Sequence, residues 1–222
     1  MTSPARLRID FVSDVACPWC AIGLAGLRQA LARLEDRVDA EIHLQPFELN
    51  PNLPSEGEDA DEHLMRKYGI GEAQLAANRK AIRERAAALG IAINTGPGSR
   101  VRNTFDAHRL LHWADVRDAA KALDLKQALF RAYFTDGLNV ADRETLACLA
   151  EEAGLDAAEA RRVLDSGEFA DDVRAQERHW QQAGIHAVPA TIVDGTWLIS
   201  GGQPPEAFEH ALREIATRRS PA

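Results

Sequence analysis

Two cysteines separated by two residues lie near the start of the chain, at the junction between a strand-like and a helix-like segment. Residues 7–12 are rich in Leu, Ile, Phe and Val, which is typical of a buried strand, and the run Cys17-Pro18-Trp19-Cys20 opens the helical pattern that follows. A helix beginning at Cys17 would turn its unpaired N–H groups and the positive end of its dipole toward that sulfur and favour a thiolate. Pro18 suits a first turn because its missing N–H costs nothing there. The junction therefore predicts a strand–helix unit that presents a reactive dithiol.

Strand character is confined to the two ends of the chain. At the start, the pattern predicts a strand over 6–13, a helix over 17–35 and a strand over 38–47, which is a β-α-β unit with a parallel pair and a right-handed crossover. At the end, it predicts a hairpin of 190–193 and 196–199 turned by Asp194-Gly195, then a helix over 205–218 that starts at Pro205. The ends together form a β-α-β half and a β-β-α half.

Between the two halves the chain consists mostly of Ala, Leu, Arg and Glu, and its periodicity is helical. The predicted helices span 61–68, 72–89, 104–116, 119–134, 143–153, 157–165 and 168–183. Glycines follow several of these runs and are predicted helix stops: Gly90, Gly137, Gly154 and Gly184. The middle of the chain is therefore expected to be a helical block.

Composition excludes several classes of function. The chain has 222 residues and a formal net charge of −8, so nucleic acid binding has no electrostatic support. No apolar run approaches the ~20 residues of a membrane span, and residues 1–6 carry no apolar signal segment. We therefore expect a cytoplasmic protein that does not enter a membrane.

The chain has three cysteines, too few for a disulfide scaffold, so in a reducing compartment the pair at 17 and 20 favours redox catalysis or metal binding. Zinc usually takes four ligands, and His108 and His112 could complete a Cys2His2 set only if the fold brought them to the pair. Redox use is the favoured interpretation, with no metal, and a dithiol without turnover is the third alternative. The remaining cysteine, Cys148, lies in an apolar helical stretch and is predicted to be buried and inert.

Thiol–disulfide exchange needs an attacking thiolate and a second thiol that resolves the mixed disulfide. Cys17, at the helix start, is the predicted nucleophile, and Cys20, one turn in, is the predicted resolving thiol. Pro18 and Trp19 would tune the pair, although Trp19 could equally be a core aromatic side chain. The dipeptide Val188-Pro189 precedes the returning strand, where a proline can simply mark a sheet edge.

Several segments spread over nearly the full length resemble the DsbA family, and most closely its FrnE-like branch, the cytoplasmic relatives of 2-hydroxychromene-2-carboxylate isomerases and kappa-class glutathione transferases. The resembling segments are residues 10–14 with the Cys-Pro-Trp-Cys run, Pro46-Phe47-Glu48-Leu49-Asn50-Pro51, residues 103–110, residues 184–190 and Ser200-Gly201-Gly202-Gln203-Pro204. The resemblance implies an α/β thioredoxin fold, DsbA-like, with a large all-helical insertion between the β-α-β and β-β-α halves. The implied units are 1–55, 56–184 and 185–222.

The resemblance also implies a site. A cis peptide bond at Pro189 would pack beside Cys17, and the backbone of Val188 would pair with an extended thiol substrate. The implied substrate-binding candidates are Asn50, Asn103, His108, Gly202 and Gln203. For Asn103 the simpler interpretation is a helix N-cap, and for His108 it is a helix-surface or core histidine satisfied by a hydrogen bond.

Three functions follow as hypotheses. The first is a cytoplasmic thiol–disulfide oxidoreductase acting on protein or small-molecule thiols and disulfides, with glutathione as an optional co-substrate and no bound cofactor. The second is a glutathione-dependent isomerase or transferase; such relatives carry a serine at the position of Cys17, so the two cysteines favour the first. The third is a redox-regulated chaperone-like binding protein. Relatives of this kind often pair, so a homodimer is compatible with all three.

Overall fold

The computed structural model describes residues 4–54 and 56–219. Its main sheet has four strands in the order β2-β1-β5-β6. A second, two-stranded ribbon pairs β3 with β4. The strands are β1 (Ala5–Ser13), β2 (Val38–Pro46), β3 (Glu58–Asp59), β4 (Arg100–Val101), β5 (Ala190–Val193) and β6 (Trp197–Ser200).

The main sheet joins the two predicted halves. β1 pairs in parallel with β2 and antiparallel with β5, and β5 pairs antiparallel with β6. Asp194 and Gly195 turn the hairpin with positive φ angles of 50° and 64°, which is the backbone that a two-residue hairpin turn requires. The predicted β-α-β and β-β-α halves are confirmed, and they form one sheet through β1 and β5.

Nine helices lie within the described residues, and each was predicted to within three residues at either end. They are α1 (Pro18–Arg33), α2 (Ala60–Tyr68), α3 (Glu72–Ala87), α4 (Phe105–Asp115), α5 (Ala119–Phe134), α6 (Arg143–Glu152), α7 (Ala157–Ser166), α8 (Ala170–Gln182) and α9 (Pro205–Arg219). The four predicted glycine stops all have positive φ. The thioredoxin fold with a large helical insertion is confirmed.

One detail of that prediction was wrong: the insertion is not all-helical, because β3 and β4 pair within it. Strands of two residues are too short to show an alternating pattern in the sequence. The implied unit boundaries stay a prediction. Ser55, where the first unit was placed to end, lies outside the described residues, as do residues 1–3 and 220–222.

The helices contact the sheet in two groups. α1 and α9 contact each other, and α9 contacts β1 and β6, whereas α4, α5 and α8 contact β2. The insertion is therefore anchored on the β-α-β half, and α1 also contacts α3 and α5. Among the described residues no helix is both long and apolar enough to cross a membrane.

Candidate active site

The two cysteines of the Cys-Pro-Trp-Cys run lie at the start of α1. Cys17 is the N-cap with extended φ and ψ of −98° and 111°, and Pro18 begins the helix. The carbonyl oxygen of Cys17 accepts hydrogen bonds from the N–H groups of Cys20 at 3.0 Å and Ala21 at 3.3 Å. No side chain caps this helix, so the free N–H groups of its first turn are left to act on the Cys17 sulfur.

Both cysteines are free thiols, and they approach to 3.3 Å. Cys17 is 4% exposed and Cys20 is fully buried. Burial raises the pKa of Cys20 well above its usual value, and the hydrogen bond and negative charge of Cys17 raise it further, while Lys126 opposes them. Cys20 therefore holds its proton, and the two thiols are chemically unequal.

The peptide bond between Val188 and Pro189 is cis and lies against the dithiol, as the resemblance implied. The Cys17 thiol donates to the carbonyl oxygen of Val188 at 3.7 Å. Pro189 is fixed in turn by the N–H of Gly201, which donates to its carbonyl oxygen at 2.8 Å. The loop before α9 thus supports the proline beside the dithiol.

The same loop packs directly on α1. A Cβ atom added to Gly202 would lie 2.7 Å from the carbonyl oxygen of Trp19, and one added to Gly23 would lie 3.0 Å from Cγ of Pro189. Only glycine at 202 permits this approach to the Trp19 backbone, and glycine at 23 leaves room for the Pro189 ring. The Trp19 ring is 38% exposed, so the alternative of a core aromatic side chain was wrong. The backbone of Trp19 is therefore held against the loop, while the residue as a whole is partly exposed to solvent.

Comparison with known proteins shows which family has this arrangement of residues. The family model of the DSBA-like thioredoxin domain matches residues 8–213. The chain belongs to the DSBA-like thioredoxin domain family. It is 30% identical over 209 residues to the Bacillus subtilis protein YwbO, which covers 94% of this chain and 96% of that protein.

Two solved structures superpose on nearly the whole of this chain. A "probable DsbA oxidoreductase" of Streptomyces coelicolor superposes with a TM-score of 0.88 at 38% identity, covering 97% of this chain and 92% of that one. The "cytosolic disulfide reductase DsbM" of Pseudomonas aeruginosa, solved with GSH, superposes with a TM-score of 0.65 at 15% identity, covering 95% and 99%. At that identity DsbM shows only that the fold is shared.

In this DSBA-like chain a buried carboxylate, that of Asp14, lies just before the dithiol. It accepts hydrogen bonds from the N–H groups of Leu49 at 2.7 Å and Ala16 at 3.2 Å, and Nε2 of His108 lies 3.4 Å from its Oδ1. Burial on its own would raise the pKa of Asp14, but His108 and the two N–H groups outweigh it and hold the pKa below its usual value. His108 is buried, so the helix-surface alternative for it was wrong.

A hydrogen-bonded network holds Asn50, which the resemblance marked as a substrate-binding candidate. Its Oδ1 accepts from Nζ of Lys67 at 2.7 Å and faces Nε2 of His63 at 3.0 Å. Lys67 also donates to the carbonyl oxygen of Leu49 at 2.8 Å. Burial lowers the pKa of Lys67, against the opposing charges of Asp14 and Cys17. The charge of Lys67 therefore acts on the dithiol, and nothing in the helical pattern of residues 61–68 distinguished it.

The side chains of two other substrate-binding candidates, Asn103 and Gln203, form hydrogen bonds close to their own positions in the chain. Oδ1 of Asn103 accepts from the N–H of Phe105 at 2.9 Å, but the N-cap of α4 is Thr104, so the predicted cap was wrong by one residue. Gln203 donates through Nε2 to the carbonyl oxygen of Ser200 at 2.8 Å. Gly202, as described above, lies against Trp19. Whether any of the three contacts a substrate stays a prediction.

The alternative zinc site has no geometric support. His108 faces Asp14, whereas the ring of His112 packs edge-on against Phe169 with centroids 5.2 Å apart. Within residues 4–54 and 56–219 no three His, Cys, Asp or Glu side chains are grouped to hold a metal ion.

The expectation for Cys148 was wrong: this thiol is exposed. The buried side of α6 is formed by Leu146, Ala147, Leu149 and Ala150, and residue 148 falls on the opposite side. The apolar stretch around Cys148 did not reveal this in the sequence, because its four apolar neighbours by themselves form the buried face of the helix.

Sequence analysis also missed a lysine in the core. Lys126 of α5 is 1% exposed, with Nζ 5.0 Å from the ring centroid of Phe130. Burial lowers the pKa of Lys126 to about 8, although negative charge at Cys20, Asp14 and Cys17 would raise it. A lysine within a helical pattern reads as a solvated residue, so no signal in the sequence pointed to it.

A second missed cluster lies where the insertion meets the loop after β2. Nη1 of Arg174 binds Oε2 of Glu48 and lies 2.8 Å from Oε2 of Glu177, and its guanidinium stacks 3.9 Å from the ring centroid of Phe105. The other carboxylate oxygens of Glu48 and Glu177 are buried with no hydrogen-bond partner in the described structure. Burial, followed by the charge of Glu177, raises the pKa of Glu48.

Proposed function

We propose that this protein is a thiol–disulfide oxidoreductase that cycles Cys17 and Cys20 between a dithiol and a disulfide. The observation that carries the proposal is the pair of free thiols 3.3 Å apart at the start of α1, with the Cys17 sulfur against the Val188 carbonyl. Membership of the DSBA-like family supports this class of activity.

Cys17 is the attacking thiol in this proposal. Its thiolate attacks one sulfur of a substrate disulfide, the substrate S–S bond breaks, and one substrate thiolate leaves. Cys20 then loses its proton and attacks the Cys17 sulfur of the mixed disulfide. The second substrate thiolate leaves, so the substrate gains two electrons and the protein holds a Cys17–Cys20 disulfide. Run in reverse, the same steps oxidise a dithiol substrate.

The surroundings of Cys17 suit a flexible, extended substrate. The sulfur is recessed, and the exposed rings of Trp19 and Tyr68, 38% and 57% accessible, offer apolar surface. Tyr68 is close enough for negative charge at Cys17 to act on it. A substrate strand that pairs with the backbone at Val188 would bring its sulfur to Cys17 by main-chain hydrogen bonds.

We infer a cytoplasmic role with protein or small-molecule thiols as partners and glutathione as a co-substrate. A chain with three cysteines suits a reducing compartment. DsbM, a cytosolic disulfide reductase solved with GSH, has the same fold, so the fold is compatible with this assignment.

Turnover of insulin or of a small disulfide, with glutathione as reductant, tests the proposal. The wild-type protein should reduce the substrate and Cys17→Ser should not. Cys148→Ser is the matched control, because it removes an exposed thiol elsewhere and should leave the rate unchanged. Equal rates for wild type and Cys17→Ser would end the proposal.

A further inference from the structure

The proposed cycle needs a group that accepts the proton of Cys20. Cys20 must lose a proton before it can attack the mixed disulfide, yet it is fully buried and holds that proton tightly. Bulk water has no access to its sulfur. Some buried group of the protein must therefore receive the proton.

We propose that the ε-amino group of Lys126 accepts the proton of Cys20 when the mixed disulfide is resolved. This assignment rests on the proposed oxidoreductase function and adds a residue from the helical insertion to it.

The placement of Lys126 supports the assignment. α5 packs against α1, and the electrostatic partners of the Lys126 amine are Cys20 first, then Asp14 and Cys17. Throughout residues 4–54 and 56–219 no carboxylate lies within ion-pair distance of Lys126, and its Nζ lies 5.0 Å from the ring centroid of Phe130. A buried ammonium without an ion pair is costly, so the neutral amine is accessible near neutral pH. Burial accordingly brings the pKa of Lys126 to about 8.

A small pocket is lined in part by Lys126. It has a volume of about 10 Å³ and is lined by Leu44, Gln45, Pro46, His108, Leu111, His112 and Lys126. This is room for about one water molecule. The groups that face Lys126 are therefore Cys17 and Cys20 from α1, Asp14 from the loop before it, and His108 and His112 from α4.

The chemistry of the cycle changes the charge around Lys126 at the right step. While Cys17 is a thiolate, its charge favours the ammonium form of Lys126. In the mixed disulfide that charge is gone, so the neutral amine becomes more favourable, and Lys126 gives its own proton to the first substrate thiolate that leaves. The amine then takes the proton of Cys20, and an ammonium–thiolate pair results. When Cys20 bonds to Cys17 and the substrate thiolate leaves, the thiolate charge at Cys20 disappears as well, and the proton passes from Lys126 to the leaving thiolate.

A two-phase reaction with 5,5′-dithiobis(2-nitrobenzoate) separates the two steps. In a Cys148→Ser background, attack by Cys17 releases a first equivalent of coloured thiolate, and resolution by Cys20 releases a second. We expect Lys126→Met to keep the first phase and to slow the second at least about tenfold at pH 7, since proton transfer by a positioned group contributes roughly 10²–10⁴-fold. Lys121→Met is the matched control, because this lysine of α5 is exposed and its amine donates to the Gly154 carbonyl oxygen.

Two further measurements separate a proton acceptor from a fixed charge. Lys126→Arg keeps the charge but cannot accept a proton, so it too should lose the fast second phase. In the wild-type protein, which needs no substitution to be tested, the second phase should rise with pH and level off at or below about pH 8, because the mixed disulfide removes the Cys17 charge that raises the pKa of Lys126.

A second phase at the wild-type rate in Lys126→Met or Lys126→Arg would overturn the role of Lys126, as would a wild-type rate that keeps rising to pH 10. If the wild-type protein shows no first phase, the proposed function itself fails, and the role of Lys126 fails with it.

Discussion

The thiol of Cys17 lies 3.7 Å from the carbonyl oxygen of Val188, although 171 positions separate the two residues in the chain. One belongs to the β-α-β half and the other to the segment that leads into the β-β-α half. The pairing of β1 with β5 brings them together, because Val12 pairs with Ala190, two residues after Val188. The dithiol and its neighbouring backbone carbonyl are thus held by the sheet and not by the helical insertion.

Cys20→Ser should trap the substrate on the protein. Without the resolving thiol, Cys17 still attacks a disulfide, but the mixed disulfide cannot close to a Cys17–Cys20 bond. In a Cys148→Ser background, intact-mass spectrometry should show one adduct per chain, and none when Cys17→Ser is added. An adduct that persists without Cys17 would place the reactive thiol elsewhere.

Asp14→Asn should destabilise the protein at pH 7 by about 2 to 4 kcal/mol, since it weakens a buried carboxylate that accepts two backbone hydrogen bonds and faces His108. The folded protein lowers the pKa of Asp14, so this stabilisation is complete above the ordinary pKa near 3.8 and is lost as pH falls through the lower folded value.

Urea unfolding of wild type and Asp14→Asn at several pH values checks this, and the difference between them should shrink only below about pH 4. Asp172→Asn, an exposed position in the first turn of α8, is the control and should change stability by less than about 0.5 kcal/mol. A stability difference between wild type and Asp14→Asn that already disappears between pH 5 and 7 would contradict the expectation.

Gly202→Ala should lower both stability and turnover. The new Cβ would lie 2.7 Å from the carbonyl oxygen of Trp19, and because backbone atoms cannot yield as a flexible side chain can, the loop must move. Overpacking of this kind costs about 1 to 3 kcal/mol. The shift would also disturb Pro189, whose carbonyl oxygen accepts from Gly201. Gly96→Ala meets no atom closer than 4.0 Å and should be silent in thermal unfolding and in activity.

Lys67→Met should slow the alkylation of Cys17 by iodoacetamide several-fold at pH 7. The ammonium of Lys67, fixed by the Leu49 and Asn50 oxygens, interacts favourably with negative charge at Cys17, and Met would remove that interaction. Iodoacetamide is neutral, so the loss would not reflect steering of the reagent. Lys80→Met changes an exposed position of α3 and should react like the wild-type protein. All three proteins are compared in a Cys148→Ser background. Identical rates for all three would exclude a role for Lys67.

Arg174→Met should destabilise the protein by about 3 kcal/mol at pH 7, because it leaves the carboxylates of Glu48 and Glu177 buried without their shared partner. Burial, followed by the charge of Glu177, raises the pKa of Glu48. Ionised Glu48 therefore destabilises the folded protein, and stability is lost as pH rises through the folded pKa of Glu48. The variant should therefore recover much of its loss near pH 5. Arg178→Met, exposed on the same helix, serves as control for thermal unfolding at both pH values.

Much of this fold is legible in the sequence because its signals are local. The helices repeat apolar residues at the helical period, and glycines such as Gly90 and Gly154 end them where φ must be positive. The Asp194-Gly195 turn and the Cys17–Cys20 junction are likewise set by neighbouring residues. A cis bond at Pro189, by contrast, was implied only by resemblance, since nothing local to the dipeptide requires it.

The burial of individual side chains was decided by the tertiary structure. Cys148 was predicted to be buried, and a core position was an equal alternative for Trp19, yet both are exposed, whereas Lys126 is covered. A helical pattern shows that one side is apolar, but which residues at its margin are covered depends on the element that packs there.

The chemistry of the site is likewise determined partly by the sequence and partly by the tertiary structure. The sequence alone determined that two thiols stand at a strand–helix junction with a proline in the first turn. Only the tertiary structure decided that Asp14, Lys67 and Lys126 share their electrostatic surroundings, because these charges come from a loop and two distant helices. Electrostatic interaction depends on distance and burial, and neither is encoded in the spacing of residues along the chain.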